Sequence, residues 1–561
     1  MAQWKSMQLA KVTSLWNLYE RGIELQASLG IRENLPTYVD FFEGRQWPSP
    51  TPSTKNLPRP VINIVKMICR SKKSAILASP VKIHYKSYSP LTDIESFNDF
   101  SSYVLKELGQ EDLDKLAIDD GVKKGSYFYH YYWDKNASGI DGRVDGGVRC
   151  ELIDPLNIFF SDPSELNEQK QDWILISSRR TLTQISALAD TDCDLTQLKG
   201  DEDNQTYDKK EQKTEEYATL LTRYFKQNGE VYCERATKTL IISKPFSITP
   251  DFSQLNINQE ENNSICPQIH GAQMPRAVLY PIVCGYYERK EGSIYGLSEV
   301  EGIIPNQKAI NFNVAMSLLN AQECAWGKYI ALPNALKNQK ISNSPGQVLI
   351  DYSGTGNGIK KLPEQTLSDA PMSITQSLTD LTRAVSGATE IMTGEKYYSN
   401  LSGSAIAYLQ DQANMPIEEL RNNFYSVKRK QGKVLAQFLK LYYYKKSFIK
   451  HKREEDGTEK EILSSFSSKD YESSIFDVVV EAVGGSKSSV ASDISLLDNC
   501  LKNGNISLET YIKAYPESAI TNKQEILKQI ELEKNSELQK LKKELELYKT
   551  NKNNRPSVDT I

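Results

Sequence analysis

Two predicted helices enclose a short β region, and this arrangement limits the possible folds more than any other feature of the chain. The first helix runs from about Pro305 to Ala325 and the second from about Met372 to Met392, with apolar residues three or four apart in each. About 45 residues separate them, with short strand-like runs and glycine-rich turns that bury little core of their own. We expect a small module on two stalks of equal length, each about 30 Å.

An insert of about ten residues interrupts the helical pattern after the second stalk. A helix that only had to end would need one glycine, whereas this insert also contains a lysine and two tyrosines. We therefore expect a loop that contacts another molecule. Beyond it, residues 404–450 are predicted to be helical, with a kink at Pro416.

The flanking regions indicate an α+β fold. Helices are predicted over residues 6–30, from Ile62 to Leu77 and over 101–123, followed by strand-like segments to about residue 287. Asn228-Gly229 joins two of these segments and predicts a two-residue hairpin. A further strand is predicted in SSIFDVVVEAVGG, and residues 490–550 are predicted to be helical, with near-heptad spacing towards their end.

The first 90 residues contain thirteen Lys and Arg against five Asp and Glu. This excess fits either contact with a polyanion or an ordinary solvated face. In the helix from Ile62 to Leu77, the apolar positions are expected to leave the basic side chains largely outside: Lys66, Arg70, Lys72 and Lys73.

The sequence offers no enzyme site. The strand and turn VVVEAVGGSKSSV resemble a P-loop, but Glu481 and Ser486 occupy the two glycine positions. The eight cysteines are scattered without Cys-x-x-Cys and are expected to be reduced, and the four histidines lack zinc-ligand spacing. No apolar run of about 18 residues exists and no secretory segment is recognised, so we expect no catalytic residue, metal, cofactor or membrane span, and a cytosol-like compartment.

Four motifs, in order, resemble the portal proteins of tailed bacteriophages. They are FFEGRQW with LPRPVINIVKMI, VRCELIDPLNIFFSDPSELNEQKQDWILISSRRTLTQI, YGLSEVEGIIPNQKAINFNVA and SNLSGSAIAYL. Residues 200–270 carry little of the resemblance. It implies an α+β portal fold that forms a ring, usually of twelve subunits, at one capsid vertex. The implied parts are a wing (1–295), stem helix 1 (296–325), a clip (326–371), stem helix 2 (372–392), a tunnel loop (393–403), a long wing helix with a returning strand (404–489), and a crown with the C-terminal tail (490–561).

The resemblance also implies roles for individual residues. The tunnel loop would project into the channel and meet DNA through Gly394, Lys396, Tyr397, Tyr398, Asn400, Ser402 and Gly403. An alternative is that both tyrosines pack on a neighbouring subunit. In stem helix 2, the side chains expected between neighbouring subunits are Ile374, Leu378, Leu381, Val385 and Ala388. Off that stripe, facing the bore or the surrounding capsid protein, lie Asp380, Arg383 and Glu390. The clip would dock partners through Lys337, Lys340, Lys360 and Lys361.

The implied partners are other copies of the chain, the terminase large subunit, a head–tail adaptor, the major capsid protein, a scaffolding protein, and double-stranded DNA passing independently of its sequence. The protein would be found at the portal vertex of the virion, and in the host cytoplasm during assembly. One alternative is another phage ring protein, of the tail or baseplate, that never meets DNA. Another is a host cytosolic enzyme or nucleic-acid-binding protein, for which no cofactor motif is present.

Overall fold

The computed structural model describes most of the chain. The described residues are 2–55, 57–78, 81–87, 93–138, 146–202, 216–250, 276–325, 329–333, 335–337, 339–340, 350–354, 357–361, 370–388, 403–453, 459–471, 474–482, 487–515, 526–527, 529–530, 532 and 542–543.

The helices are distributed along the whole described chain. They are α1 (Ala2–Ser28), α2 (Ile31–Glu43), α3 (Ile64–Ile76), α4 (Ile94–Glu107), α5 (Gln110–Lys124), α6 (Leu182–Ala187), α7 (Glu299–Ala325), α8 (Ala370–Val385), α9 (Gly403–Tyr442), α10 (Lys487–Lys502) and α11 (Leu508–Ala514).

The strands form small antiparallel sheets. They are β1 (Val81–Ser87), β2 (Ser126–Asp134), β3 (Gly147–Ile153), β4 (Ile158–Phe160), β5 (Trp173–Thr181), β6 (Tyr217–Gln227), β7 (Glu230–Ala236), β8 (Ile241–Ser247), β9 (Ile282–Tyr286), β10 (Tyr329–Ala331), β11 (Ile359–Lys361), β12 (Lys446–Arg453), β13 (Glu459–Phe466) and β14 (Phe476–Ala482). The sheet orders are β4-β5-β6-β7-β8, β3-β2-β9, β1-β14, β10-β11 and β12-β13. This mixture of helices and sheets confirms the predicted α+β class.

The largest core lies where α3, α5 and α9 pack around the three-stranded sheet. Tyr127, Tyr129 and Tyr131 alternate along β2 and are buried on this side. The Tyr129 hydroxyl donates to Asp114 of α5 at 2.8 Å, and the same carboxylate forms a buried ion pair with Lys428 of α9. The long helix is therefore fixed to the rest of the wing by packing and by a paired charge.

The five-stranded sheet forms a second layer against α1. Tyr19 of this helix packs edge-on against Phe159 of β4, with ring centroids 5.4 Å apart. Between β6 and β7, Asn228 and Gly229 have φ values of 52° and 79°. Positive φ at both residues is what a type I′ turn requires, so the predicted two-residue hairpin is confirmed.

The predicted helices over 101–123 and 404–450 are wrong in their extent. The first is two helices, α4 and α5, because Gly109 between them adopts φ 62°. The second ends at Tyr442, and β12 follows. Phe448 of β12 and Phe466 of β13 are buried against Phe100, whose ring stacks on Phe466 at 4.1 Å. Alternating burial in this hairpin outweighs the helix-forming composition around it.

The prediction that all four basic side chains of α3 lie largely outside is wrong for one of them. Arg70 is exposed and Lys66 and Lys73 are half-buried, but Lys72 is 4% exposed. Helical periodicity places Lys72 beside the buried residues Ile68 and Cys69, towards α7 and the end of α8.

Candidate functional site: the two-helix stem and its base

The two stem helices run antiparallel. Asn306 Nδ2, near the start of α7, donates to Thr382 Oγ1, near the end of α8, at 3.0 Å. The 27 residues of α7 span about 40 Å and the 16 residues of α8 about 24 Å. The predicted equal lengths are therefore wrong. Pro305 is not the first residue of the helix, because α7 begins at Glu299; the alternative prediction, that helical residues precede Pro305, is confirmed.

Stem helix 2 ends earlier than Met392 because of a glycine cap. Gly387 has φ 69°, its N–H donates to Ala384 O at 3.1 Å, and the Ala388 N–H donates to Arg383 O at 3.0 Å. These two bonds form a Schellman motif, which closes a helix with a glycine in the left-handed region. Residues 389–402, which include Glu390, lie outside the described residues.

Both stem helices present large apolar side chains to solvent in the single chain. Thr375 and Thr382 are the buried residues of α8. Much of the predicted stripe is on the other side, with Ile374 50%, Leu381 61% and Val385 87% exposed, while Leu378 is half-buried. On α7 the exposed apolar side chains are Phe312, Met316 and Leu318. Packing of this surface between neighbouring subunits remains a prediction.

Two further residues of stem helix 2 lie differently from the prediction. Arg383 is half-buried, and its Nη2 contacts Met67 Sδ of α3 at 3.6 Å, so it faces the wing of its own chain. Ala388 is fully buried within the chain, because the Schellman turn carries it inward. Asp380 is exposed in the single chain.

A buried polar network fixes the first half of α7 to the segment between α2 and α3. Gln307 is 0% exposed, and its Oε1 accepts from the N–H groups of Ile64 and Val65 at 3.0 and 3.3 Å. Its Nε2 donates to Ile62 O at 2.6 Å and to Asn311 Oδ1 at 3.0 Å. One side chain therefore pairs the backbone groups that open helix α3.

The network extends from α7 to the segment after α2. Asn311 Nδ2 donates to Gln46 Oε1 at 2.6 Å, and Gln46 Nε2 donates to Phe41 O at 2.7 Å. Asn63 caps α3 by accepting from the Lys66 N–H at 2.9 Å, and its Nδ2 donates to Phe42 O at 2.9 Å. Buried amides with several partners of good geometry position both helices.

This network joins residues from two of the motifs that carry the family resemblance. Gln46 and Asn63 belong to the GRQW and PVINIV motifs, and Gln307 and Asn311 belong to IIPNQKAINFN. The resemblance by itself assigns no role to these four residues. The available signal was a glutamine and an asparagine four residues apart on one side of a helix, flanked by apolar positions.

In the segment from 148 to 185, the side chains of the motif stabilise local turns and a helix cap. Asp154 Oδ1 accepts from the Leu156 N–H at 2.9 Å, and Asp154 Oδ2 accepts from Lys124 Nζ at 2.7 Å. The Gln171 side chain accepts from the Asp162 N–H and donates to Asp162 O, and Thr181 caps α6 in a capping box with Gln184. These residues shape the wing, and nothing in their geometry indicates a binding site.

A group of ionisable residues lies at the base of the stem, where α7 begins and α8 ends. The Tyr287 hydroxyl donates to Glu299 Oε2, in the first residue of α7, at 2.6 Å. Burial raises the pKa of the Glu299 carboxyl, the nearby Lys72 ammonium and the Tyr287 hydrogen bond oppose that rise, and Glu288 adds to it. Burial also raises the pKa of the Cys69 thiol.

The clip contains the predicted short strands. Tyr329, Ile330 and Ala331 of β10 pair with Lys361, Lys360 and Ile359 of β11. Of the predicted docking lysines, Lys337, Lys340 and Lys360 are exposed, and the Lys361 side chain is outside the described residues. Lys337 Nζ lies 4.4 Å from the centroid of the Tyr352 ring.

One carboxylate organises the glycine-rich end of the clip, and it was not predicted. Asp351 accepts from the Ser353 N–H through Oδ1 and from the Gly358 N–H through Oδ2, both at 2.8 Å. The Ser353 side-chain hydrogen bond lowers the pKa of Asp351 most, and the N–H groups of Ser353 and Gly358 lower it further. Apolar side chains are also exposed on the clip, namely Tyr329, Ile330, Leu332 and Ile350.

Nearly all of the predicted tunnel loop falls outside the described residues. Gly394, Lys396, Tyr397, Tyr398, Asn400 and Ser402 lie outside the described residues, and Gly403 is the first residue of α9. The predicted crown begins with α10 and α11, and few residues after 515 are described.

Within the described residues, no helix is long and apolar enough to cross a membrane, and no group of three or more His, Cys, Asp or Glu has metal-binding geometry. The described thiols of Cys69, Cys150, Cys193, Cys233, Cys284 and Cys500 are free.

Residues 272–488 match the family model described as phage P22-like portal protein. This segment is less than half of the chain and contains both stem helices, the clip, α9 and β14. Two solved structures are similar, with the titles "Virion of native gene transfer agent (GTA) particle" and "Neck of empty GTA particle computed with C6 symmetry". Their sequence identities are 9% and 10%, and their TM-scores 0.36 and 0.34. Each covers 80% of this chain, which in turn covers 86% and 87% of theirs. No curated protein sequence matches the chain. The family match confirms the resemblance to phage portal proteins.

Proposed function

We propose that this portal-type protein, whose family match runs through the stem, the clip and α9, forms a ring around a channel for double-stranded DNA. The observation that carries the proposal is the set of large apolar side chains exposed on both stem helices of the single chain. A chain of this composition gains stability by burying them against neighbouring copies. The ring would stand at one vertex of the virion and assemble in the host cytoplasm.

Helix dimensions support a ring of about twelve subunits. Twelve stem helices spaced about 9–10 Å apart make a circle roughly 36 Å across between their axes. Subtracting one helix diameter of about 10 Å leaves a bore of roughly 26 Å, and duplex DNA is roughly 20 Å across. The duplex passes with little spare room, so short loops are enough to reach it.

Class averages of the purified protein by electron microscopy test this proposal. We expect rings with an open bore near 26 Å, estimated from helix spacing. The variant Val385→Asp should reduce ring formation, because it places a carboxylate in the proposed interface, whereas Gln376→Asp, an exposed position on the same helix, should not. A stable monomer at micromolar concentration would refute the proposal. Rings whose central bore is blocked would favour the tail or baseplate alternative.

The tunnel loop, residues 393–403, is proposed to contact the passing DNA. DNA must slide, so weak contacts that ignore sequence are needed, and each lysine–phosphate contact adds affinity through counterion release. Lys396 supplies one such contact per subunit. Lys396→Glu should lower packaging or retention of DNA while rings still form, and Tyr397→Ala with Tyr398→Ala should do the same. Loss of ring stability in the tyrosine variants would instead indicate packing on a neighbouring subunit.

The clip is proposed as the docking surface for the terminase large subunit and, after packaging, for a head–tail adaptor. Its exposed lysines and exposed apolar side chains support this role. Deletion of Ser353 to Gly358 removes the segment that Asp351 organises and should weaken both interactions in a pull-down assay. Rings should still form. Unchanged binding of both partners would move the docking surface elsewhere.

A further inference from the structure

Glu299 has an uncommon position, because it begins stem helix 1 and is surrounded by groups of both charges. Tyr287 donates to its Oε2, Lys72 of α3 attracts it, and Glu288 repels it. The charge of Glu299 also acts on the Cys69 thiol of α3, together with the charges of Lys123 and Asp119 of α5. The start of a helix favours a negative charge. The ionised carboxylate is therefore stabilised by the helix start, by Lys72 and by the Tyr287 hydrogen bond, whereas burial and Glu288 favour the neutral carboxyl.

Lys72 has a second source of negative potential besides Glu299. Its Nζ lies 3.5 Å from the point where a β-carbon on Gly387 would stand, directly after the last turn of α8. The last carbonyl groups of a helix carry a partial negative charge. The buried ammonium is therefore compensated in part by the end of α8, and it is not stranded when Glu299 takes up a proton.

We propose that Glu299 is a proton-responsive joint between the stem and the wing. With the carboxyl protonated, the start of α7, the end of α8 and α3 pack tightly around a neutral acid and a lysine held by the end of α8. With the carboxyl ionised, a partly desolvated negative charge favours local opening of the same junction to water. The inference rests on the geometry of this junction and does not require the proposed DNA channel.

The direction of the pH dependence follows from the raised pKa of Glu299. The closed junction binds the proton more strongly than an open one, where the carboxyl has an ordinary pKa near 4.5. Closed and open states differ in protonation above this pH, so the closed state loses stability as pH rises towards and through the raised pKa. Each unit by which the pKa is raised corresponds to about a tenfold change in the opening constant.

Hydrogen exchange of the purified full-length protein, read by mass spectrometry between pH 5 and 8 and corrected for intrinsic rates, tests the joint. Peptides covering 299–310 and 380–388 should lose protection as pH rises. Glu299→Gln should keep the high protection found at low pH and show no pH dependence. Glu301→Gln, an exposed acid in the same turn, is the matched control and should follow the unmodified protein.

Two further variants predict a shift of the profile rather than its loss. Lys72→Met and Tyr287→Phe each remove a group that favours the ionised carboxyl, so loss of protection should move to higher pH. Lys66→Met, on the same helix but outside the junction, should leave the profile unchanged. A flat profile in the unmodified protein, a pH dependence that survives Glu299→Gln, or shifts to lower pH would overturn the proposal.

Discussion

Replacement of Gln307 by methionine should loosen the attachment of stem helix 1 to the wing. Methionine has nearly the same length and shape but pairs with none of the backbone groups around it. The Val65 N–H would lose its acceptor at 3.3 Å, and Ile62 O would keep only the Ile64 N–H. A buried group left unpaired costs roughly 1–3 kcal/mol and each of the other lost hydrogen bonds roughly 0.5–1.5 kcal/mol, so we expect a loss of about 3 kcal/mol for the site.

Hydrogen exchange of the peptide covering 62–69 measures this loss locally. A change of about 3 kcal/mol in the free energy of opening corresponds to roughly a hundredfold faster exchange. Gln322→Met is the matched control, since Gln322 is exposed on the same helix and its replacement should change exchange little. Equal exchange in the two variants would show that the network does not fix α7 to the wing.

Three further changes test the packing described above. Lys428→Met leaves Asp114 as an uncompensated buried charge and should lower thermal stability by about 3–5 kcal/mol, with part of the loss recovered by adding Asp114→Leu. Gly285→Ala should cost about 1–3 kcal/mol in thermal unfolding, because the new β-carbon would overlap the Tyr127 ring. Val385→Asp should leave the circular dichroism spectrum of the single chain unchanged, since this side chain is 87% exposed.

The parts of the fold predicted from sequence are those with a strong local signal. The Asn228-Gly229 hairpin was predicted because only a few residue pairs accept positive φ at both turn positions. The predicted end of stem helix 2 was wrong because the helical spacing of apolar residues continues past Gly387. The helix ends at a local backbone motif around this glycine, which the spacing of apolar residues does not reveal. The strand β12 was missed because tertiary burial of Phe448 decides it.

For the candidate site, the sequence predicted exposed groups better than buried ones. The clip lysines are exposed where they are described. Most of the apolar stripe of stem helix 2 is exposed in the single chain, and its packing between neighbouring subunits stays a prediction. Lys72 was expected outside, because a basic residue on an amphipathic helix usually is. Its burial depends on Gly387 and on the start of α7, which are far away in sequence. For Gln307 and Asn311 the sequence shows polar residues four apart among apolar positions, but it does not show the partners in α3 and after α2 that give them their role.

The pairing of β1 with β14 has a consequence for the order of events during synthesis. Val81 lies opposite Ala482, so the wing is made of two stretches of chain with the stem and clip inserted between them. The ribosome synthesises α3 long before α9. Ile68 and Phe100 therefore stay exposed until the side chains that cover them have been made. Strand pairing between residues so far apart in sequence is slow, and the apolar surface that is exposed meanwhile can aggregate. A nascent chain released before β14 would therefore keep this apolar surface uncovered and prone to aggregation.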